Sequence, residues 1–185
     1  MIEAAVAAIR DGHVVGFPTD TVYGLGVDPL NSVAVDRLFE IKGRPEHKPL
    51  GVLVASIDQA VLLGEIEGDA YRLATQHWPG ALTLIVTPLV ILADWVGDAQ
   101  RITIGVRVPD HPLATRLLDE TGPLAVTSAN VSGGREAVND EDARVVFGDR
   151  VAEYLPGVCS GGEASTVVDA SGARLSILRA GPVEI

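Results

Sequence analysis

Residues 102–130 read ITIGVRVPDHPLATRLLDETGPLAVTSAN and combine three elements of secondary structure. The β-branched residues of Ile102–Val108 predict a strand. A helix is predicted over Pro112–Glu120, because proline is favoured in the first turn. Leu124–Thr127 predicts a second strand, which leads into a polar, glycine-rich turn. A strand, a helix and a strand in succession are typical of an α/β fold.

The rest of the chain continues this alternation, although not strictly. Helices are predicted by apolar spacing and capping residues over Ile2–Arg10, Val33–Lys42, Asp69–His77, Asp140–Phe147 and the segment after Ser56. Strands are predicted by short β-branched runs over His13–Phe17, Leu50–Ala55, Leu82–Thr87, Ser165–Asp169 and Leu175–Leu178. We therefore expect one α/β domain over residues 1–185, with helices on the faces of a twisted mixed sheet.

The composition excludes several classes of protein. Of the 185 residues 47% are apolar and 21% are charged, which predicts a packed core rather than disorder. The net charge of −11 disfavours extended contact with nucleic acid or an anionic membrane. A single cysteine and four scattered histidines predict neither a disulfide nor a metal centre made of protein ligands. The N-terminus lacks the pattern of a signal peptide, and we expect a cytoplasmic protein.

The common nucleotide-binding motifs are absent. No phosphate-binding loop of the G-x-x-x-x-G-K-[ST] type occurs, and the Gly24-Leu25-Gly26 segment lacks the third glycine of the dinucleotide-binding motif. Polar segments instead follow the predicted strands, where ligands bind in α/β sheets.

Two of these polar segments are rich in hydroxyl groups. The first, PTDTVYGLG at 18–26, carries Thr19, Thr21 and Tyr23 and is predicted to be a loop. The second, TSANVSGG at 127–134, follows a strand and offers small residues that let a ligand approach the backbone. Taken alone, each segment is better explained as an ordinary turn, in which the polar side chains bond the local backbone.

The basic residues of the chain are distributed unevenly. Lysine occurs only at positions 42 and 48, whereas arginine occurs twelve times. Lys42 and Arg44 flank a glycine at a predicted helix end, which is compatible with a phosphate site. Complementing the helix dipole explains the same placement, and the sequence leaves both interpretations open. Arg107 and Arg179 lie at strand ends, where an ion pair with a carboxylate is the ordinary alternative to a ligand contact.

Taken in order, the segments resemble the YrdC-type threonylcarbamoyl-adenylate synthases. The matching segments are PTDTVYGLG, KGRP, PLGVLVAS, HWPGALTLIV, IGVRVPDHP, TSANVSGG, STVVD and ILRAGP. The resemblance implies a twisted mixed sheet around a deep basic cavity. It also implies a nucleotidyltransferase reaction, in which L-threonine, bicarbonate and ATP give threonylcarbamoyl-adenylate and pyrophosphate. A separate tRNA threonylcarbamoyl transferase complex then uses the product to modify an adenosine beside the anticodon.

The resemblance assigns roles to individual residues of this chain. ATP contacts are implied for Lys42, Arg44, Ser128, Asn130 and Arg179, and the first two are the implied catalytic cations. Threonine contacts are implied for Thr19, Thr21, Tyr23, Arg107 and Ser165. Mg²⁺ is expected to arrive with ATP, without a direct protein ligand. Direct binding of tRNA is expected to be weak or absent.

Two features depart from the family pattern, and two other functions stay open. Some members have a histidine in the strand after Lys-x-Arg, where this chain reads PLGVLVAS, and longer members carry a second domain. Because the sequence ends at Ile185, we expect the short, single-domain form. The alternatives are a domain that forms carbamoyl-adenylate from carbamoyl phosphate and a module that binds tRNA or double-stranded RNA.

Overall fold

The computed structural model of the protein describes residues 1–43, 49–159 and 163–185. Within these ranges it contains six α-helices and nine strands. The helices are α1 (Ile2–Arg10), α2 (Ser32–Lys42), α3 (Ile57–Leu63), α4 (Gly68–His77), α5 (Pro112–Thr121) and α6 (Asp140–Phe147). The strands are β1 (Val15–Phe17), β2 (Gly24–Val27), β3 (Gly51–Leu53), β4 (Leu82–Val86), β5 (Ile104–Arg107), β6 (Leu124–Ser128), β7 (Glu153–Tyr154), β8 (Thr166–Asp169) and β9 (Ser176–Arg179).

All nine described strands form one mixed sheet in the order β7-β1-β2-β6-β3-β5-β4-β8-β9. The pairs β1–β7, β3–β5 and β4–β8 are parallel, and the other five pairs are antiparallel. The predicted mixed α/β sheet is therefore confirmed.

The sheet has a different apolar layer on each face. One layer joins α2, α4 and α6 to inward-facing strand residues such as Leu25, Val52 and Leu84. The other layer is smaller and joins α1 and α5 to Phe17, Leu53 and Leu124. Because α1 and α5 pack against each other near β1 and β7, the middle of the second face is left without a helix.

Most predicted helix boundaries agree with the structure within about two residues. In α2 the side chain of Asn31 accepts a hydrogen bond from the Ala34 amide at 3.1 Å, and Gly43 ends the helix in the left-handed conformation. Asn31 is therefore the N-cap of α2. Lys42 is consequently the last residue of the helix.

The sequence prediction missed two strands. Gly24–Gly26 was expected to belong to the polar loop that begins at Pro18. The structure shows strand β2 there, paired with β1 and β6 in the interior of the sheet. The two-residue strand β7 is too short to give a periodic pattern. Among the described residues no helix is both long and apolar enough to span a membrane.

Candidate active site

A cavity of about 330 Å³ lies on the sheet face that carries α1 and α5, over the part that these helices leave uncovered. Its lining comes from strands β2, β3, β4, β5, β6 and β9, from the loops that follow β1 and precede β8, and from the segment between β6 and α6. The polar groups in the lining are Thr19, Thr21, Thr83, Arg107, Thr127, Ser128, Glu136, Ser165 and Arg179. Several elements distant in sequence thus contribute to one site.

Three glycines on strands β2, β3 and β5 belong to the cavity lining. Gly24 pairs with Ser128, Gly51 pairs with Val126, and Gly105 pairs with Ile85. A Cβ atom added at Gly51 would find its nearest neighbour, a carbonyl oxygen, at 3.5 Å, so packing alone does not require glycine there. The missing side chains leave open space above the strands, through which a ligand reaches the backbone.

Arg107 organises the hydroxyl-rich loop after β1. Its guanidinium contacts Asp20 Oδ1 at 2.5 Å, Thr21 Oγ1 at 3.0 Å and the carbonyl oxygen of Gly80 at 3.0 Å, through three different nitrogens. The Thr19 hydroxyl donates to the carbonyl oxygen of Val22 at 2.7 Å and lies 3.1 Å from Thr21 Oγ1. Both threonine side chains are therefore held at the cavity wall.

The ammonium group of Lys42 fixes the turn after β6. Lys42 is only 2% exposed, and its Nζ donates to the Ser128 carbonyl oxygen, to Asn130 Oδ1 at 2.9 Å and to the Asn130 carbonyl oxygen at 3.1 Å. Ser128 Oγ donates to Asn130 Oδ1 at 2.7 Å, and Asn130 Nδ2 donates to the Gly134 carbonyl oxygen at 2.8 Å. Helix α2 and the Ser-x-Asn turn thus form one hydrogen-bonded unit.

A second polar unit lies across the sheet, on β4, β8 and β9. Thr83 Oγ1 is 2.8 Å from Ser165 Oγ. Arg179 donates to the Ser165 carbonyl oxygen through Nε at 3.0 Å and through Nη2 at 2.8 Å, and Nη2 also lies 3.2 Å from Ser165 Oγ. The edge strand β9 thereby places a guanidinium at the cavity.

The structure brings most, but not all, of the predicted site residues to the cavity. Those in the lining are Thr19, Thr21, Arg107, Ser128, Ser165 and Arg179. Lys42 and Asn130 lie behind Ser128 and support it. Arg44 lies outside the described residues. The predicted contacts of all these residues with ATP and threonine stay predictions.

Tyr23 lies away from the cavity, on the opposite face of the sheet. Its side chain is fully buried in the larger apolar layer, and its hydroxyl donates to the Leu155 carbonyl oxygen at 2.7 Å. Burial raises the pKa of Tyr23 above its ordinary value. In this geometry Tyr23 anchors the hydroxyl-rich loop, and the structure shows no approach of its hydroxyl to the cavity.

Two further titratable groups near this loop are held uncharged by burial. Burial lowers the pKa of His111, although the carboxylates of Asp20 and Asp110 act in the opposite direction. Burial also raises the pKa of the Cys159 thiol, which keeps it protonated and poorly nucleophilic near neutral pH.

The charged residues in the cavity lining determine its net charge and whether protein side chains can bind a metal ion. Among the described lining residues Arg107 and Arg179 are basic and Glu136 is acidic, and Arg107 is already paired with Asp20. The strongly basic cavity implied by the resemblance therefore stays a prediction. Within residues 1–43, 49–159 and 163–185 no three His, Cys, Asp or Glu side chains are grouped for a metal ion.

Sequence reasoning did not identify Thr83, Gly51, Gly105 or Glu136 as site residues. Thr83 and Gly105 sit in runs that are typical of ordinary core strands, and Gly51 was considered only as part of a buried strand. The alternation of β4 carried a signal, because Thr83 is a hydroxyl residue between the buried Leu82 and Leu84.

Comparisons with known proteins agree with this geometry. The Sua5/YciO/YrdC family model, described as "Telomere recombination", matches residues 7–181. A Mycobacterium tuberculosis protein provisionally named threonylcarbamoyl-AMP synthase is 46% identical, over 98% of this chain and 84% of its own. The Bacillus subtilis threonylcarbamoyl-AMP synthase is 39% identical, over 98% of this chain and 54% of its own.

A solved structure extends the similarity to three dimensions. The crystal structure of Pyrococcus abyssi Sua5 complexed with L-threonine superposes with a TM-score of 0.91 at 36% identity. The superposition covers 97% of this chain and 54% of the Sua5 chain. This chain therefore spans about half the length of the Bacillus and Pyrococcus proteins. With the family model matching residues 7–181, the chain belongs to the Sua5/YciO/YrdC family.

Proposed function

We propose that the protein is a threonylcarbamoyl-AMP synthase, which converts L-threonine, bicarbonate and ATP to threonylcarbamoyl-AMP and pyrophosphate. One observation carries the proposal. The loop after β1, the Ser-x-Asn turn and the Ser165–Arg179 unit, which resemble the family's threonine and ATP segments, meet around a single cavity. The activity named for two relatives over nearly the whole of this chain supports the same assignment.

The proposed reaction transfers an adenylyl group. The amine of threonine combines with bicarbonate to form a carbamate, with loss of water. A carbamate oxygen then bonds to the α-phosphorus of ATP, and the bond from that phosphorus to the bridging oxygen of pyrophosphate breaks. The protein would therefore be a nucleotidyltransferase.

Electrostatic stabilisation is the main demand of such a step, because negative charge moves onto the departing pyrophosphate. Arg179 meets this demand with a guanidinium that reaches the cavity. Lys42 holds Ser128 at the rim, and the implied contact of Arg44 with the phosphates adds a further cation. The proposed step requires no protein nucleophile.

The residues of the cavity fit a Mg²⁺ ion that is bound mainly by ATP. Mg²⁺ commonly keeps several waters and takes one or two carboxylates together with substrate phosphates. Glu136 is a carboxylate in the described lining, and no metal-binding cluster occurs elsewhere among the described residues. When bound, the ion would neutralise charge on the phosphates.

The other two functions make different demands. A carbamoyl-adenylate-forming domain would accept carbamoyl phosphate in place of threonine and bicarbonate. An RNA-binding module needs an extended basic surface, whereas this chain carries a net charge of −11. We propose that the labile product passes to a tRNA threonylcarbamoyl transferase in the cytoplasm, and that this protein itself binds tRNA weakly or not at all.

Pyrophosphate release tests the proposal. With wild-type protein, ATP and Mg²⁺, we expect release that depends on both L-threonine and bicarbonate. Serine serves as a control for the threonine methyl group, and carbamoyl phosphate serves as the competing substrate. Release that is unchanged when threonine is omitted, or that needs carbamoyl phosphate, would exclude the proposed substrate.

A further inference from the structure

The hydroxyl groups of Thr83 and Ser165 form a pair at the cavity wall. Thr83 lies in the middle of β4, and Ser165 precedes β8, two segments separated by 82 positions in sequence. Their oxygens are 2.8 Å apart, and both side chains line the cavity. Only a hydrogen bond between the two hydroxyls explains this distance, so one of them donates to the other.

The two hydroxyl groups have one proton more than the hydrogen bond between them uses. Two hydroxyls carry two protons, and the bond between them uses one. Arg179 is a donor only, so its contact with Ser165 Oγ at 3.2 Å occupies a lone pair and uses no hydroxyl proton. Neither hydroxyl makes another hydrogen bond to the described part of the chain. One proton therefore remains for an acceptor in the cavity, whichever hydroxyl carries it.

The surroundings of the pair favour an acceptor with negative charge. In the β4–β5 register Leu84 pairs with Val106, which places Thr83 opposite Arg107 on the same face. Arg179 lies on the other side, and its Nη1 makes no hydrogen bond to the described residues. Arg107 is already paired with Asp20, so Arg179 supplies the positive charge beside this donor, and an anionic oxygen matches it best.

We propose that Thr83 and Ser165 act as one unit that donates a single hydrogen bond to an anionic oxygen of the bound substrates, a carboxylate of threonine or a phosphate of ATP. Thr83 is then a ligand-binding residue of the site. The inference rests on the proposed function only for the identity of the substrates.

The proton count predicts an unusual pattern in a double-mutant cycle. In Thr83→Val the Ser165 hydroxyl is released to donate to the ligand, and in Ser165→Ala the Thr83 hydroxyl is released. Each single variant should therefore weaken ligand affinity less than tenfold. The double variant has no donor left and should lose roughly 10–100-fold more than the product of the single losses, the range for a hydrogen bond to a charged group.

The experiment measures the dissociation constants of L-threonine alone and of ATP alone by calorimetry, together with kcat/KM and melting temperature. Thr75→Val is the matched control, because Thr75 is exposed on α4 and bonds only the Arg72 carbonyl oxygen. Thr83→Ser in the Ser165→Ala background keeps one hydroxyl and should recover the affinity that the double variant loses. If the excess loss appears in the affinity for L-threonine, the accepting oxygen belongs to a carboxylate. If it appears in the affinity for ATP, the oxygen belongs to a phosphate.

The inference would be overturned if the affinity loss of the double variant equalled the product of the two single losses. It would also be overturned if Thr83→Val had no more effect than Thr75→Val, both in the wild-type protein and in the Ser165→Ala variant. Failure of the proposed function gives a different result, namely wild-type protein that makes no threonylcarbamoyl-AMP. In that case the affinity cycle still tests the hydroxyl pair with whichever of the two ligands binds.

Discussion

Lys42→Met is expected to lower adenylate formation by about 10²-fold, the scale for a shift of roughly 1 Å in residues that position an active site. The ammonium group of Lys42 donates to the Ser128 carbonyl oxygen and to two oxygens of Asn130. Methionine keeps the length of the side chain but leaves these oxygens without that donor, at a cost of roughly 1–3 kcal/mol in the free energy of unfolding. The turn that carries Ser128 to the cavity then loses its anchor. Turnover and melting temperature are both measured.

Two other substitutions separate this role from a simple charge effect. Arg72→Met removes an exposed cation from a surface ion pair with Asp69 and should leave turnover unchanged. Lys42→Arg keeps the charge, but a planar guanidinium does not match the same three acceptors, so its turnover should stay well below wild type. If Lys42 only complemented the helix dipole, Lys42→Met would cost about 0.3–1 kcal/mol of stability and leave turnover nearly intact. That result would refute the assignment.

Arg107→Met is expected to lower the free energy of unfolding by about 3–5 kcal/mol, the range for breaking a buried ion pair on one side. The Arg107–Asp20 contact is 2.5 Å, and the side chains are 9% and 13% exposed. The same substitution removes the donors to Thr21 Oγ1 and the Gly80 carbonyl oxygen. Because Thr21 and Thr19 form part of the cavity wall, we also expect weaker binding of L-threonine.

The chain contains a matched control for this second variant. Arg101 and Asp169 are also 2.5 Å apart, but Arg101 is 50% exposed. Arg101→Met should therefore cost less than about 1 kcal/mol and leave threonine affinity unchanged. Equal losses of stability in the two variants, measured by urea unfolding, would mean that burial of the Arg107 pair has no special role.

The sequence was informative where function depends on local patterns. The bounds of α2 were readable because its capping residue and Gly43 act on their own helix. The use of lysine at position 42, in a chain that otherwise favours arginine, was compatible both with a phosphate site and with complementing the helix dipole. The partner residues, Ser128 and Asn130, lie more than eighty residues away, and only the pairing of β2 with β6 brings them to the end of α2.

The parts of the fold and the site that the sequence prediction missed depend on strand register, which the sequence does not encode locally. Strand β2 was missed because Gly24–Gly26 continues a polar loop in the sequence, whereas in the sheet Gly24 lines the cavity and Gly26 leaves room for the Phe17 ring. Thr83 was missed because a single threonine in an apolar strand is common. Its role becomes visible only when the pairing of β4 with β8 places Ser165 beside it. The role of Arg44 lies outside the described residues.

The central claim is that one cavity joins threonine, bicarbonate and ATP into a single product. Mass spectrometry of the product formed from L-threonine, ATP and ¹³C-labelled bicarbonate tests this claim most directly. We predict an adenylate that contains both the threonine skeleton and the labelled carbon, formed in equal amount with pyrophosphate. An adenylate that contains threonine without the labelled carbon, or AMP alone, would contradict it.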